Sequence, residues 1–234
     1  MARIPAEDDE DVRRTSLLDA QRRAEQLFAA VSEAGIIRPG TTDKEASRAV
    51  TNLAAAEFGV KRHWHKRIVR SGPNTLLPYQ KKPRDRTMGD DDIAFADFGP
   101  IFDGWEADYG RTWVIGDDPD KIRLRDDLAE VFTAGRQFFE DRPDITGQDL
   151  YTEVTRLAAD RGWGFGNHHC GHLVGEFPHE DFTGGRPASH LMVGSTEPMR
   201  RLDPSGRIAH WILEIHLIDE DRRFGGFYEQ LLTL

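Results

Sequence analysis

The sequence predicts a single α+β domain. A helical stretch at residues 16–34 and a second helix precede a strand hairpin at residues 93–115, which two further helices at residues 120–161 follow. The chain then becomes mostly extended and ends in strand-like runs at residues 208–218 and 227–232. Helices and strands thus occur in groups rather than in strict alternation, which is typical of α+β folds. No internal repeat or long linker divides the chain.

Local signals set the ends of these elements. Thr42 and Glu45 form a capping-box pattern at the start of the second helix, and Thr146 is an N-cap residue for the fourth. Asp103-Gly104 is a dipeptide that favours a tight turn between two strands. The predicted helices are residues 16–34, 42–58, 120–139 and 147–161, and the predicted strands are residues 68–69, 93–98, 105–115, 208–218 and 227–232.

Composition excludes several functional classes. The 234 residues include 31 Lys and Arg against 41 Asp and Glu, and the resulting net charge of −10 argues against a nucleic-acid partner, which would require a basic surface. No apolar run approaches the roughly 20 residues of a membrane-spanning helix, so no membrane partner is expected. The single cysteine, Cys170, fits a reducing, cytoplasmic environment. We expect residues 1–14 to form a flexible acidic tail and residues 15–234 to form one domain.

Two aspartates lie in predicted strands that are otherwise apolar. Asp97 ends the run IAFAD, and Asp108 follows eleven residues later in the returning strand. A turn centred on residues 102 and 103 would place them directly opposite each other, whereas a turn centred on residues 103 and 104 would make them diagonal neighbours. Facing side chains on a sheet are about 4.5–5.5 Å apart. The two like charges are therefore either solvated on an exposed face or arranged around a cation.

Two later strands repeat this pattern. Glu214 and His216 share one face of the run HWILEIHLID, whose other face is apolar, and Glu229 shares the face of Phe227 in the last strand. A buried carboxylate is costly unless it is paired or bound to a metal. The alternatives to a metal site are that Glu214 pairs with an arginine and that Glu229 lies at a sheet edge.

Four histidines within twelve residues supply a second type of metal ligand. They are His168, His169, His172 and His179 in NHHCGHLVGEFPHED. Imidazole and carboxylate together suit Zn, Mn, Fe or Co, and several carboxylates with one histidine are a common donor set for two-metal hydrolytic centres. We interpret Cys170 as a small buried residue rather than a nucleophile or ligand. The chain contains neither a G-x-S-x-G motif nor a glycine-rich phosphate-binding loop.

These motifs resemble those of the creatinase/methionine aminopeptidase family of pita-bread metallopeptidases, and most closely its Xaa-Pro peptidase branch (aminopeptidase P and prolidase). The stretch DFGPIFDGWEADYGRTWVIG is similar to the two-aspartate motif of that branch, and HHCGHLVGEFPHE is similar to its histidine-rich motif. Glu214-Ile215-His216 and Glu229-Gln230 resemble its two glutamate motifs, and IVRSGPNTLLPY resembles the segment before the metal site. The resemblance implies a pita-bread fold, a curved and mostly antiparallel sheet flanked by helices, with residues 15–234 as the catalytic domain.

The resemblance also implies a dinuclear metal centre. Two divalent ions (Mn, Co, Fe or Zn, with Mn favoured) would lower the pKa of a bridging water and deliver hydroxide to a scissile carbonyl. His168 and His179 resemble catalytic histidines that stabilise the substrate carbonyl and the tetrahedral intermediate. The implied metal ligands are Asp97 for one ion, Asp108 and Glu229 as bridges, and His172 and Glu214 for the other ion.

Three positions depart from the family pattern. Tyr79 stands where the Xaa-Pro peptidases usually carry a substrate-contacting histidine, Phe227 stands where an arginine usually precedes the last glutamate, and Ile215 replaces a proline. We expect Tyr79 and His216 to contact the substrate. The changes at Tyr79 and Phe227 favour some repurposing of the substrate pocket.

The predicted function is that of a metal-dependent hydrolase of a peptide or small amide, in the first place an Xaa-Pro-type peptidase. The alternatives are a creatinase-like hydrolase of a small non-peptide amide or amidine, and a pita-bread binding module without catalysis. Ligand-type side chains at all five implied positions favour catalysis. The expected partner is the small substrate, and a second copy of the chain, in a homodimer, is a further candidate.

Overall fold

The computed structural model of the protein describes residues 7–178 and 188–234, which contain four α-helices and ten β-strands. The helices are α1 (Glu7–Glu33), α2 (Asp43–Phe58), α3 (Pro119–Glu140) and α4 (Gly147–Asp160). The strands are β1 (Ile68–Ser71), β2 (Asp92–Phe98), β3 (Ile101–Phe102), β4 (Trp105–Glu106), β5 (Tyr109–Ile115), β6 (Gly164–Phe165), β7 (His169–Val174), β8 (His190–Met192), β9 (His210–Asp219) and β10 (Phe224–Leu231). In this described part, no helix is both long and apolar enough to cross a membrane.

Eight of the strands form one antiparallel sheet. Its order is β1-β2-β5-β10-β9-β7-β8, and β6 pairs with β9 beside this path. The other two strands, β3 and β4, form a separate small hairpin. Helix α1 packs against β5, and α2 packs against α1 and β1. Helix α3 packs against β9 and β10, and α4 packs against α3 and against β6, β7 and β8. The predicted α+β class is therefore confirmed.

Strand alternation separates the core from the opposite face of the sheet. Leu213, Ile215 and Leu217 of β9 are fully buried in the core that α3 and α4 complete. Glu214 and His216 lie between them in sequence and therefore point to the other face. The helices thus cover one side of the sheet, and the polar residues of the predicted site lie on the other.

The turn between β3 and β4 sets the register of the central strands. Asp103 and Gly104 both have positive φ angles, 52° and 91°, which suits a two-residue hairpin turn. Strand β2 then pairs with β5 so that Asp97 lies opposite Gly110. Asp108 is two residues from Gly110, so the two aspartates are diagonal neighbours, as predicted for a turn at Asp103-Gly104.

The predicted flexible tail over residues 1–14 is wrong from Glu7 onward, where α1 begins. Glu10 and Arg13 form a buried ion pair of 2.5 Å. Nε2 of His210, at the start of β9, lies 2.7 Å from Oε1 of Glu10. The first turns of the helix are held against the sheet by polar partners that are distant in sequence. A charge-rich N-terminal sequence gives no local sign of such contacts.

The remaining elements lie close to their predicted positions. The capping box of Thr42 and Glu45 is present at α2, and Thr146 caps α4. Gly72–Leu76, predicted as a loop, forms a 3-10 helix. The predicted strand at residues 105–115 is interrupted between β4 and β5. This interruption frees Asp108 from regular pairing.

Replacing Glu10 with Ala should lower the free energy of unfolding by about 1–3 kcal/mol, because Arg13 and His210 then lose a buried partner. Urea denaturation measures this change. The exposed Asp11, in the same turn of α1, provides the control, and Asp11→Ala should change the free energy by no more than about 0.5 kcal/mol. Equal effects of the two substitutions would contradict an anchored N-terminal helix.

Candidate metal centre

Three carboxylates lie on one line across the sheet. Asp97 of β2 is opposite Gly110 of β5, Gly110 is opposite Glu229 of β10, and Glu229 is opposite Glu214 of β9. Directly paired residues share a face, so all three carboxylates lie on the side away from the helices. A Cβ atom at Gly110 would lie 2.5 Å from the ring of Phe227 and 3.2 Å from Cβ of Glu229. The glycine therefore leaves room for both side chains.

Asp108 reaches the same space from the irregular segment before β5. Its Oδ1 lies 3.0 Å from Nε2 of His65, and its Oδ2 lies 3.1 Å from Nε2 of His172. The two oxygens of one carboxylate thus face two different imidazoles. Each oxygen of Asp108 therefore lies next to a different group of ligand-type side chains.

Among the residues that the structure describes, two groups of side chains could each hold a metal ion, and they share Asp108. In each group the donor atoms lie within 4.8 Å of one another. The groups are His65, Asp97 and Asp108, and Asp108, His172 and Glu229. The structure therefore brings together four of the five ligands predicted from the sequence, and it adds His65.

Glu214, the fifth predicted ligand, belongs to neither group although it lies opposite Glu229. Its Oε1 contacts Nδ1 of His169, so its partner is a histidine and not an arginine. Burial raises the pKa of Glu214, but His169 and His172 outweigh this effect and lower it. Glu229 does not lie at a sheet edge, because β10 runs between β5 and β9.

The carboxylates are short of positive charge. Burial, together with the charges of Asp108 and Asp97, raises the pKa of Glu229 well above its ordinary range, and burial also raises the pKa of Asp97. Burial opposes ionisation of Asp108 too, but His65 and His172 outweigh it and lower its pKa. Oδ1 of Asp97 is buried and accepts no hydrogen bond from the residues that the structure describes. This donor set fits two divalent cations, which would supply the missing charge.

His172 has the orientation of a metal ligand. Its Nδ1 donates a hydrogen bond of 2.8 Å to the carbonyl of Leu173, which leaves Nε2 as the donor atom towards the carboxylates. His168 lines the cavity over the carboxylates. His179, the other predicted catalytic residue, lies outside the described residues. Cys170 is fully buried in the core, which confirms its interpretation as a small buried residue, and burial raises the pKa of its thiol.

Sequence reasoning missed two histidines of the site. His65 belongs to the loop between α2 and β1, and His190 of β8 is paired with His172 and lies with its ring centroid 4.9 Å from that of His169. The repeated histidine of the segment HWH, just before β1, was the available signal for His65. That signal is weak because its meaning depends on how the loop folds over the sheet.

A cavity of about 810 Å³ lies over the carboxylates. One wall is apolar, because Ile68, Phe95 and Phe227 form a small cluster against which Tyr79 packs. His216 lines the same cavity, and its Nε2 donates a hydrogen bond of 2.7 Å to the carbonyl of Thr75. Tyr79 and His216, predicted as substrate contacts, therefore both lie at the cavity.

Comparisons with known proteins agree with this geometry. The sequence profile of metallopeptidase family M24 matches residues 15–220. The chain belongs to metallopeptidase family M24. An Xaa-Pro dipeptidase of Lactobacillus delbrueckii subsp. lactis is 26% identical to this M24 chain over 147 residues, which cover 62% of the chain and 39% of that relative. The chain thus spans about two-fifths of the length of this relative.

Solved structures show that the M24 chain shares their fold. The prolidase of Thermococcus sibiricus superimposes with a TM-score of 0.76 at 20% identity, over 97% of this chain and 56% of that one. The X-Pro aminopeptidase of Thermotoga maritima superimposes with a TM-score of 0.76 at 21% identity, over 96% of this chain and 61% of that one. The predicted pita-bread fold is therefore confirmed.

The metal-free protein should lose stability as the pH rises from 6.5 to 9. Burial disfavours protonation of His65, but Asp108 and Asp97 outweigh it and raise the pKa from its ordinary value of 6.5 to about 9. Between these values the folded state binds more protons than the unfolded state, so the free energy of unfolding falls with rising pH. Melting curves in EDTA should show a falling Tm across this window.

Melting curves with and without a divalent ion provide a second test of the same pH dependence. Protons and metal ions compete for the site, so the increase in Tm on adding a divalent ion should grow over the same pH window. The variant His65→Asn should show a weaker dependence of Tm on pH in EDTA. A slope as steep as that of the native sequence would contradict the assignment of this dependence to His65.

Proposed function

We propose that the chain is a dinuclear metal-dependent hydrolase of a peptide or small amide, in the first place an Xaa-Pro-type peptidase. The observation that carries the proposal is Asp108, whose two oxygens face two separate groups of ligand-type side chains. When bound, two divalent ions would polarise the scissile carbonyl and lower the pKa of a water between them. Membership of family M24 supports this class of reaction.

The proposed roles follow the positions of the side chains. His168 lines the cavity and is proposed to donate a hydrogen bond to the substrate carbonyl as charge develops on it, and the resemblance assigns a similar role to His179. The proposed ligands are Asp97 for one ion, Asp108 and Glu229 as bridges, and His172 and Glu214 for the other ion. Only Oε1 of Glu214 contacts His169, so in this role either the second oxygen would bind the ion or Oε1 would exchange its contact with His169 for the ion.

The cavity wall favours a substrate with an apolar group beside the scissile bond. Phe227 occupies the place of the family's usual arginine, and its ring centroid lies 5.4 Å from that of Phe95. Tyr79 closes the same wall. Such a wall suits an apolar side chain or the pyrrolidine ring of proline.

Arg70 lines the same cavity beside this wall. It is buried on β1, and its guanidinium donates hydrogen bonds to the carbonyls of Leu77, Tyr79 and Lys81. These bonds hold the segment that carries Tyr79. The guanidinium of Arg70 is therefore already bound to three backbone carbonyls. We propose that it positions Tyr79 rather than binding a substrate carboxylate.

Asp108→Asn should lower kcat/KM by about 10³-fold, because a neutral amide cannot balance two cations and the lost transition-state stabilisation amounts to several kcal/mol. The assay is hydrolysis of Xaa-Pro dipeptides and longer Xaa-Pro peptides with added Mn or Co, together with metal analysis of each protein. Asp117→Asn, an exposed aspartate outside the site, is the control and should keep both activity and metal content.

Two results would revise the proposal in different ways. Less than one bound ion per chain in the native sequence would refute a metal-dependent hydrolase. Two bound ions with hydrolysis of a small non-peptide amide or amidine, but of no Xaa-Pro peptide, would replace the peptidase assignment by the creatinase-like alternative.

A further inference from the structure

We propose that His65 is a ligand of the ion held by Asp97 and Asp108, so that each ion of the centre has one imidazole ligand. The inference rests on the proposed dinuclear centre and deepens it. His65 lies in none of the motifs that carry the family resemblance. Its assignment comes from its distances, its burial and the way its loop is fixed.

The distances are those of ligands around one ion. Nε2 of His65 lies 3.0 Å from Oδ1 of Asp108 and 3.5 Å from Oδ1 of Asp97. Two donor atoms that are each about 2.1 Å from an ion, and separated by about 90–110° around it, are about 3.0–3.4 Å apart. His172 shows the same spacing, 3.1 Å, to the other oxygen of Asp108. The side chain of His65 is only 7% exposed, so its ring faces the carboxylates and not solvent.

The loop of His65 is fixed to the strands that carry the two aspartates. The backbone N–H of Trp64 donates a hydrogen bond of 2.9 Å to the carbonyl of Gly99, next to the end of β2. The indole Nε1 of Trp64 donates another of 2.9 Å to the carbonyl of Ala107, the residue before Asp108. The position of the imidazole is therefore coupled to the backbone that positions its carboxylate partners.

Gly99 makes this close approach feasible. A Cβ atom at this position would lie 2.1 Å from Cδ2 of His65 and 2.3 Å from Nε1 of Trp64. Both rings would have to move away from the strand. A side chain at position 99 is thus incompatible with the observed position of His65.

Tyr79 contacts both His65 and the residue that follows it. Its hydroxyl accepts a hydrogen bond of 3.2 Å from the backbone N–H of Lys66, and its ring centroid lies 6.1 Å from that of His65. The tyrosine thus packs beside His65 and supports the loop. Position 79 thus carries a tyrosine that supports this loop, and the segment before β1 adds the imidazole of His65 to the cavity.

A nitrogen ligand changes which metal ions the site at Asp97 binds most tightly. Oxygen-only donor sets suit Mn, whereas imidazole suits Zn and Fe, and affinity for such sites rises from Mn to Co. Replacing His65 by a residue without an imidazole should therefore weaken Co binding more than Mn binding. This selectivity separates a ligand from a residue that only shapes the cavity.

The test is calorimetric titration of the metal-free full chain with Co(II) and with Mn(II). We expect two bound Co ions in the native sequence, and in His65→Asn one ion with unchanged affinity and one whose affinity falls at least about tenfold. His63→Asn is the matched control, because His63 lies in the same loop but packs with its ring centroid 5.7 Å from that of Phe98. This control should bind two Co ions as the native sequence does.

A second variant keeps the imidazole in the chain. Gly99→Ala should weaken the same Co ion by displacing His65, and combining it with His65→Asn should add little further loss, because both changes remove one interaction. If the two substitutions lower the Co affinity additively in the double variant, their effects are independent. This result would contradict the proposal that Gly99→Ala acts by displacing His65.

If the His65→Asn variant does not fold, a measurement on the native protein still tests the role of His65. Proton NMR of the Co(II)-loaded native protein counts the coordinated imidazoles through their paramagnetically shifted ring protons, and we expect two. A single coordinated imidazole, or a folded His65→Asn protein with unchanged Co affinity, would overturn the role of His65 and leave the dinuclear centre in place. Fewer than two Co ions on the native sequence would refute the dinuclear centre itself.

Discussion

The repulsion among buried carboxylates is the constraint on which the rest of the site depends. The registers of four neighbouring strands place Asp97, Glu229 and Glu214 on one line, and Asp108 projects into the same space. Like charges at such positions destabilise a sheet unless positive charge lies between them. Imidazoles lie beside Asp108 and Glu214, where they offset this repulsion. Gly110 leaves the room that the side chains of Glu229 and Phe227 need on the same face.

The hydrophobic core on the opposite face keeps the carboxylates in place. Because successive side chains alternate, a slip of one residue in β9 would move Glu214 into the core and Leu213 and Ile215 into the cavity. Burying those leucine and isoleucine side chains against α3 and α4 excludes this slipped register. The hydrophobic burial that holds the helices on the sheet thus also keeps the mutually repelling carboxylates on the opposite face.

The sequence predicts features that depend on neighbouring residues, and it does not predict features that depend on contacts between residues far apart in the chain. Alternation predicted the face of Asp97, Glu214 and Glu229 within each single strand, but the resemblance to the family was needed to bring the three strands together. The Asp103-Gly104 turn decides between the two registers offered for Asp108. His65 could not be assigned, because its place depends on a loop that packs across two strands. The helical N-terminus was missed for the same reason: Glu10 is stabilised by His210, 200 positions away.

The departures from the family pattern are best understood through the charge balance of the site. A tyrosine at position 79 and a phenylalanine at position 227 remove an imidazole and a guanidinium that the Xaa-Pro peptidases usually carry there. Burial favours neutral rings of this kind on the wall that Phe95 and Ile68 form. His65 places an imidazole beside Asp97 and Asp108, where it can carry a proton in the metal-free protein or coordinate an ion as the neutral ring. His65 thus lies at the carboxylates, whereas the wall formed by Ile68, Phe95, Phe227 and Tyr79 is apolar. An ion and an apolar side chain of a substrate would therefore bind at different parts of one cavity.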